Sequence, residues 1–464
     1  MLITGLILGA VLGAVMQRGR FCVTGMLRDI FTRSTWRPFT ALLIVISVHA
    51  IGLTALTSVG IITPEYSPFA PAAVIVGAFI FGVSIVLAGG CASGTWYRAG
   101  EGLVGSWLAL VGYALSAAAM KTGPLSGVNA WLRQFTVGQT TVSATFGLSP
   151  WWFAIGLGVL TAYLAARFLQ AEFSGPRPVS LAQPLHRRPL HVYLAAVIIG
   201  VIGVVAWPLS AATGRNDGLG ITTPSKNVAN YIVTGDSSFL DWGALLVLGI
   251  LVGALIAAKV SGEFRVRVPD ARTSSRAVVG GIGMGVGASW AGGCTVGNGM
   301  VQTSLFTYQG WVALAFFAVG VGVAAKIWLK PSGRKTAAGT YSTDESVDGR
   351  AAHPETATTS MAAPAYAVAP VALKVREQQS APAGLTEVAP GEFALDTLGA
   401  VCPFPLIEAV SAMDELRSGQ TLVIDFDCTQ ATDAIPRWAA EAGHEVTEFR
   451  AAGDAGWRIK VRKG

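Results

Sequence analysis

One seven-residue segment of this sequence occurs twice. Residues 88–94 read AGGCASG and residues 291–297 read AGGCTVG, so that Cys91 and Cys294 follow identical glycine pairs, 203 positions apart. Each copy closes an apolar run with further glycines at matching distances. A duplicated apolar segment that ends at glycine is typical of transporters built from two repeats, in which glycine-broken helices surround the substrate site. The repeat therefore predicts a membrane protein whose two halves share one fold.

The composition supports a chain embedded in a lipid bilayer. Of the 464 residues, 52% are hydrophobic and 13% are charged, whereas a soluble domain carries roughly 25% charged residues. Nine apolar runs are long enough, with re-entrant pieces, to cross a hydrocarbon core of about 30 Å. These runs cover residues 2–17, 39–60, 71–90, 102–121, 151–169, 190–208, 241–259, 276–293 and 309–329. The sequence thus predicts a polytopic α-helical membrane protein with about nine spans.

The loop charges predict an orientation in the inner (plasma) membrane. Loops rich in arginine and lysine alternate with loops that hold few cations. The basic loops are 17–38, 170–189 and 259–276, and the others are 61–70, 122–150 and 209–240. Because basic loops stay in the cytoplasm, we expect the N-terminus outside and the chain from Lys330 onward inside. A fifth span that joins two sets of four makes the halves an inverted repeat, with re-entrant half-helices after the repeated cysteines.

Three thiols form the candidate substrate path. Cys91 and Cys294 lie at the predicted helix breaks directly after Gly90 and Gly293, and Cys22 follows a basic Arg-Gly-Arg-Phe segment. A single cysteine in a membrane helix is more often a small packing residue. A cysteine that recurs at a recurring break instead favours contact with a sulfur-containing substrate. For Cys22 both interpretations stay open, because its basic surroundings could equally be a topology signal.

Other polar residues of this part are expected to have ordinary roles. Lys121, Arg133 and Arg215 could attract an anion, but we expect them to be surface residues. His49, inside the second predicted span, is expected to pack between helices rather than to carry protons. No pair of carboxylates falls within a span, so the sequence does not indicate a carboxylate proton relay.

The C-terminal part has a different composition. Residues 331–391 are rich in small and polar residues without periodicity, which predicts a flexible linker, and residues 392–464 alternate as in a small α/β two-layer domain. The predicted strands cover 393–396, 421–426, 445–449 and 457–461, and the predicted helices cover 403–416 and 432–442. Cys402 is predicted at the N-cap of the first helix, with Pro403 at the first helical position. Backbone N–H groups there stabilise a thiolate, which makes Cys402 the candidate catalytic thiol, suited to carrying sulfur as a persulfide.

These motifs carry two resemblances. The paired Gly-Gly-Cys segments and the Arg-Gly-Arg-Phe-Cys segment resemble the YeeE/YedE family of membrane proteins, whose characterised members take up thiosulfate. The Leu-Gly-Ala-Val-Cys-Pro-Phe-Pro stretch, residues 398–405, resembles the TusA/SirA-like sulfur carriers. Together they cover roughly residues 1–330 and 392–464 and leave the linker unmatched.

The resemblances imply roles for particular residues. Cys22, Cys91 and Cys294 match the three cysteines of the family's path, whose thiols pass thiosulfate along by transient contacts. Cys402 matches the cysteine that accepts sulfur. Cys428 departs from the carrier pattern, which usually has an acidic or polar residue there. It could resolve a Cys402 persulfide as a disulfide, but we expect it to have no role.

The sequence therefore favours thiosulfate uptake, with a cytoplasmic domain that accepts or processes the sulfur. Two alternatives remain open: a permease for another sulfur or selenium oxyanion such as sulfite or selenite, and a membrane-anchored sulfurtransferase whose activity resides at Cys402. The expected partners are the sulfur anion, the lipid bilayer and cytoplasmic sulfur-acceptor proteins. No nucleic acid, cofactor or metal ion is expected.

Overall fold

The computed structural model describes residues 1–66, 68–175, 178–181, 187–329, 385–400, 403–452 and 456–464. The described residues form a helical domain, up to Leu329, and a C-terminal domain, from Leu385 onward. Most of the predicted linker, residues 331–384, lies outside the described residues.

Besides a short 3-10 helix, Ser237–Phe239, the helical domain contains fourteen α-helices among its described residues. They are α1 (Ile3–Arg18), α2 (Val23–Thr32), α3 (Arg37–Ser58), α4 (Pro71–Leu87), α5 (Ala92–Gly100), α6 (Val104–Lys121), α7 (Ser126–Arg133), α8 (Val142–Phe146), α9 (Pro150–Ser174), α10 (Val192–Ala211), α11 (Thr222–Thr234), α12 (Trp242–Ser261), α13 (Ala271–Ala291) and α14 (Tyr308–Trp328). A π-helical segment, Gly297–Gln302, lies between α13 and α14. A long helix thus stands at each of the nine predicted spans.

Eight of these nine helices are long and apolar enough to cross a membrane, counting α1 with α2 and α4 with α5 as continuous stretches. The exception is α13, at the predicted span 276–293, whose sequence is rich in glycine and polar at its start. Its glycines serve close packing: a Cβ at Gly280 would lie 2.4 Å from Ala88 N, and one at Gly281 would lie 2.2 Å from Ala109 O. Close backbone contacts with α4 and α6, rather than a high hydropathy, therefore hold α13 in the bundle.

The helix contacts follow a two-fold correspondence. Helices α1, α2, α3, α4 and α6 correspond in order to α10, α11, α12, α13 and α14, and α9 stands between the sets. The contact of α1 with α12 has its counterpart in α3 with α10, and that of α6 with α13 in α4 with α14. Likewise α2 packs on α14 as α11 packs on α6. This exchange of partners supports the internal duplication that the repeated motif predicts.

The C-terminal domain is a five-stranded sheet with two helices. Its elements are β1 (Thr386–Ala389), β2 (Glu392–Thr397), α15 (Phe404–Glu415), β3 (Thr421–Phe426), α16 (Ala431–Glu441), β4 (Glu445–Ala452) and β5 (Gly456–Arg462). The strand order is β1-β2-β3-β5-β4, with β2 and β3 parallel and the other pairs antiparallel. Apolar side chains of both helices and of the central strands form one core. The predicted α/β two-layer domain is confirmed.

Two predictions for this domain need correction. Strand β1 pairs with β2, so the predicted boundary at 392 cuts through a hairpin and the sheet begins at Thr386. The strand escaped detection because it is a four-residue edge strand next to an Ala/Pro-rich stretch. The N-cap of α15 is Pro403 rather than Cys402, and its first helical residue is Phe404. Because Pro405 already occupies the first turn, the helix begins one position later than predicted.

Candidate functional site

Both copies of the repeated motif bend the chain at the same point. Gly89 and Gly292, the first glycine of each pair, have φ of 72° and 78°, a left-handed conformation that favours glycine. Helix α4 ends just before the first bend, and α13 ends at the second. The chain then passes to Cys91, the N-cap of α5, or to Cys294, which precedes the π-helical segment. The predicted breaks are present, with the bend one residue before Gly90 and Gly293.

Buried side chains hold the backbone at each break. The guanidinium of Arg98 donates to Gly89 O. At the second break the amide of Asn298 donates to Ala291 O at 2.8 Å and to Gly293 O at 3.1 Å. A broken helix leaves carbonyls without intrahelical donors, and these side chains satisfy them. Neither residue is among those predicted from the sequence, although a polar residue four to seven positions after each repeated cysteine is a visible signal.

The three predicted pathway thiols are free and buried, with exposures of 6% for Cys22, 0% for Cys91 and 1% for Cys294. Cys22 and Cys91 are the N-caps of α2 and α5, and their thiols are close enough to interact electrostatically. Cys294 and Cys91 both interact electrostatically with Tyr113, whose hydroxyl donates to Thr222 Oγ1 at 2.8 Å. The thiols therefore follow the spatial order Cys294, Cys91, Cys22, with Tyr113 beside the first.

A cavity opens at each end of this row. The Cys294 cavity is lined by Cys294 and by the polar residues Lys121, Arg133, Arg215, Asn298 and Gln309, among others. The Cys22 cavity is lined by Cys22 and by the charged residues Arg20, Arg28, Arg98, Glu101, Arg267 and Arg276, among others. Cys91 lies between them, fully buried. The arrangement could pass a small anion from one cavity to the other.

Three residues expected at the surface line the Cys294 cavity instead. Lys121 Nζ donates to Thr223 Oγ1 at 3.0 Å, Arg133 Nη1 donates to Trp290 O at 2.8 Å, and Arg215 pairs with Asp217 at 2.9 Å. The three residues lie near the ends of α6, α7 and α10, which are far apart in the sequence. Only the packing of these helices brings the three side chains to one cavity, so their spacing in the sequence could not predict it.

His49 is buried against α10 as a packing residue. A Cβ at Gly203 would lie 1.4 Å from His49 Nε2, which shows that the imidazole fills the space above this glycine. His49 therefore packs between helices as expected, but the expectation of a satisfied histidine is wrong, because neither ring nitrogen has a hydrogen-bond partner among the described residues.

The C-terminal domain closes the Cys22 cavity from the other side. Gly399, Ala400, Pro403, Phe404 and residues 427–430 complete the lining. Arg33 Nη2 pairs with Glu441 Oε2 at 2.9 Å, and the Arg265 guanidinium lies 5.1 Å from the Trp457 ring centroid.

Arg20 reaches the same interface from the helical domain. Its guanidinium donates to Thr432 Oγ1 of the C-terminal domain and lies 3.3 Å from Glu263 Oε1. Arg20 has a φ of 48°, a left-handed conformation that is uncommon outside glycine. The strained turn directs this side chain between the two domains.

The predicted catalytic thiol, Cys402, lies outside the described residues. Its described neighbours Ala400 and Pro403 both line the Cys22 cavity. The predicted sulfur-accepting thiol is thus flanked by residues of the cavity in which the row of membrane thiols ends.

Cys428 is buried at 8% exposure and disulfide-bonded. It lies just after β3, which pairs in parallel with β2 and places Phe426 opposite Thr397. The expectation that Cys428 has no role in sulfur transfer stays a prediction.

Two carboxyls of the Cys22 cavity are perturbed. Burial raises the pKa of Glu101, which is 4% exposed, to about 7, and the positive charges of Arg267 and Arg98 oppose the shift. Burial also raises the pKa of Asp427, again opposed by Arg267. Asp427 Oδ1 accepts from Gly399 N at 3.1 Å, which ties the end of β3 to the turn after β2.

Comparison with known proteins gives consistent matches for the two domains. Residues 18–323 match the family model described as "Sulphur transport", and residues 394–463 match the model described as "Sulfurtransferase TusA". The thiosulfate transporter TsuA of Escherichia coli (strain K12) is 47% identical over 334 residues, which cover 71% of this chain and 94% of that protein.

Two further relatives extend the comparison. The thiosulfate transporter TsuA of Spirochaeta thermophila is 33% identical over 334 residues, which cover 69% of this chain and 97% of that protein. The small protein TsuB of Escherichia coli (strain K12), named there as a sulfur carrier, is 61% identical over 69 residues, which cover 15% of this chain and 92% of TsuB. The chain therefore belongs to the sulphur transport family of membrane proteins and carries a TusA-type domain at its C-terminus.

Proposed function

We propose that this chain imports thiosulfate across the inner membrane through Cys294, Cys91 and Cys22, and delivers it to the C-terminal domain. The observation that carries the proposal is the row of buried thiols between two cavities, one of which is closed by the C-terminal domain. The relatives named as thiosulfate transporters support this choice of substrate.

The direction follows from charge. The C-terminal domain contacts Arg20, Arg33 and Arg265, which belong to the basic loops. Basic loops remain in the cytoplasm, so the Cys22 cavity faces inward, the Cys294 cavity faces outward and the N-terminus is outside. In this orientation the two corresponding sets of helices form an inverted repeat.

Thiols suit such a path because they bind weakly. A thiol is a weak donor and a weak acceptor, so each contact holds the anion only briefly. A path of several weak sites lets an anion enter and leave again.

The C-terminal domain would then act on the arriving anion. The Cys402 thiolate attacks the terminal sulfur of thiosulfate, a new sulfur–sulfur bond forms, and sulfite departs with the electron pair of the broken bond. Cys402 is left as a persulfide for cytoplasmic acceptor proteins. Removal of thiosulfate at the inner cavity favours further entry.

Uptake of sulfur-labelled thiosulfate by cells that lack their own sulfate and thiosulfate importers tests the proposal. We expect the wild-type chain to accumulate label and Cys91→Ala to reduce uptake at least about ten-fold, because the middle site of the row is lost. Ser47→Ala is the matched control: Ser47 is equally small and buried, contacts Thr161 at 2.9 Å and lines neither cavity. Equal uptake by wild type and Cys91→Ala would show that the repeated cysteine only packs.

The same cells distinguish the alternatives. Wild-type uptake of sulfite or selenite but not thiosulfate would reassign the substrate. Cys402→Ala should still move thiosulfate into liposomes, whereas a membrane-anchored sulfurtransferase would lose all activity with this variant.

A further inference from the structure

One guanidinium in the Cys22 cavity lacks the partners that its neighbours have. The Nε and Nη2 atoms of Arg267 are buried without a hydrogen-bond partner among the described residues. By contrast, Arg28 pairs with Asp29 at 2.7 Å and Arg20 with Glu263 at 3.3 Å. A buried donor without a partner is costly unless a ligand completes it.

The backbone of Arg267 is held firmly in place. Its N–H donates to Gly102 O at 2.9 Å, and its carbonyl accepts from Val104 N at 3.0 Å. Gly102 has a φ of 96°, and a Cβ there would lie 2.1 Å from Arg265 O, so only glycine allows this approach. A fixed backbone orients the guanidinium, as a recognition site requires.

Arg267 also lies between the two domains. It interacts electrostatically with Glu101, at the end of α5, and with Asp427 of the C-terminal domain. Neither carboxyl accepts a hydrogen bond from Nε or Nη2 of Arg267. Asp427 directly precedes Cys428 and binds Gly399, so the unpartnered guanidinium edge lies beside the segment that leads to Cys402.

We infer that Arg267 recognises the sulfonate end of thiosulfate in the Cys22 cavity and holds the sulfite that sulfur transfer releases. This inference rests on the proposed function and adds an anion site in the Cys22 cavity, at the inner end of the path. Nε and Nη2 form one edge of the guanidinium, and two parallel N–H donors match two oxygens of a sulfonate group. A thiol offers no such pair.

The assignment gives Arg267 a part in the sulfur-transfer step. When the Cys402 thiolate takes the terminal sulfur, the electron pair of the broken bond moves onto the sulfite group, where Arg267 stabilises the added charge. The step needs no oxidant. Because the C-terminal domain holds a disulfide at Cys428, a thiol reductant must first open it.

The test is single-turnover release of sulfite by the full chain in detergent micelles, reduced beforehand and freed of reductant, over a range of thiosulfate concentrations. We expect Arg267→Gln to raise the half-saturating concentration about ten-fold or more, as loss of a charged hydrogen-bonding pair does. Arg267→Lys, which keeps the charge but not the paired donors, should give an intermediate value. Arg272→Gln removes an exposed arginine outside the cavity and should stay within about two-fold.

The outcomes separate the two proposals. The role of Arg267 is overturned if the half-saturating thiosulfate concentration is unchanged in Arg267→Gln, or if it rises equally in Arg272→Gln. Sulfur acceptance by Cys402 stands in either case. Arg267→Lys behaving as the wild type would mean that charge alone matters, which also contradicts the paired recognition. If the wild type releases no sulfite, or Cys402→Ala releases as much, the sulfur-accepting part of the proposed function fails, and the inference fails with it.

Discussion

The two helix breaks carry the same motif but are held by different chemistry. At the first, the charged guanidinium of Arg98 donates to Gly89 O; at the second, the neutral amide of Asn298 donates to Ala291 O and Gly293 O. The bend itself is the same, with the left-handed residue at the first glycine of each pair.

The comparison shows that duplication preserved the backbone and changed the side chains around it. The glycine pair and cysteine determine where the helix stops and where a thiol is placed. The clamping side chains differ in charge: a guanidinium holds the break that faces the C-terminal domain, and an uncharged amide holds the other break, whose cavity takes its cations Lys121 and Arg133 from other helices. Since hydrogen bonds from charged donors are roughly twice as strong as neutral ones, the two breaks are held with different strength.

The largest effect should come from the bend. Gly292→Ala forces a side chain into φ 78°, and its Cβ would lie 2.7 Å from Arg133 Nη1 and 2.9 Å from Gln309 Nε2. We expect most of the folded protein to be lost, as measured by fluorescence-detected size exclusion from solubilised membranes. Gly90→Ala is the control, because the nearest atom to its Cβ, Arg98 Nη1, is 3.4 Å away. Equal yields would show that the bend does not need its left-handed glycine.

The next effect concerns the neutral clamp. Asn298→Ala leaves two buried carbonyls without this donor, and each orphaned group costs about 1–3 kcal/mol. The melting temperature in detergent should therefore fall by several degrees. Asn230→Ala removes an exposed amide that donates to Thr122 Oγ1 at 3.3 Å. This control should change the melting temperature little. A stable Asn298→Ala protein would mean that other groups satisfy the second break.

A smaller effect should appear only at the end that faces the C-terminal domain. Glu101, whose pKa burial raises to about 7, is neutral below this pH and ionised above it. Ionised Glu101 competes with an anion for Arg267, so the half-saturating thiosulfate concentration should rise at least about five-fold between pH 6 and 8. Sulfite release measured across this range checks the expectation.

The other groups that face Glu101 constrain this experiment. Arg98, Arg267 and Gln17 favour the ionised form of Glu101, and Glu263 favours its neutral form. Asp427 faces the same arginine from the C-terminal domain. Glu101→Gln should therefore keep the half-saturating thiosulfate concentration at its low-pH value across the whole pH range. A rise that persists in this variant would assign the titration to another group.

The smallest effect should come from one contact between the domains. Arg33→Ala breaks the pair with Glu441, whose side chain is 57% exposed, and such pairs contribute about 0–1 kcal/mol. Energy transfer between dyes on the two domains should fall slightly, and more at low salt. The exchange Arg33→Glu with Glu441→Arg should restore it. A complete loss of docking in Arg33→Ala would mean that this pair dominates the interface.

Much of the architecture was predictable because it depends on local patterns. Apolar runs located the long helices, and strand β3 at Thr421–Phe426 coincides with its prediction. Where local patterns were weak, prediction was less complete. Strand β1 has too few residues to show an alternating pattern, and α13 is held by close glycine packing although its hydropathy is low. The helix breaks before Cys91 and Cys294 were predictable because a glycine pair marks each of them, whereas the role of the two thiols stays a prediction.

The rest depended on contacts between segments far apart in the chain. The sequence alone determined a duplicated membrane domain, its repeated thiols and a C-terminal α/β domain, because hydropathy, glycine pairs and strand alternation act over a few residues. Only the tertiary structure decided that Cys22 meets Cys91, that Lys121 and Arg133 line a cavity, and that Arg267 lies between two domains. These neighbours are brought together by helix packing and domain docking, whose energies come from surfaces that no short stretch of sequence contains.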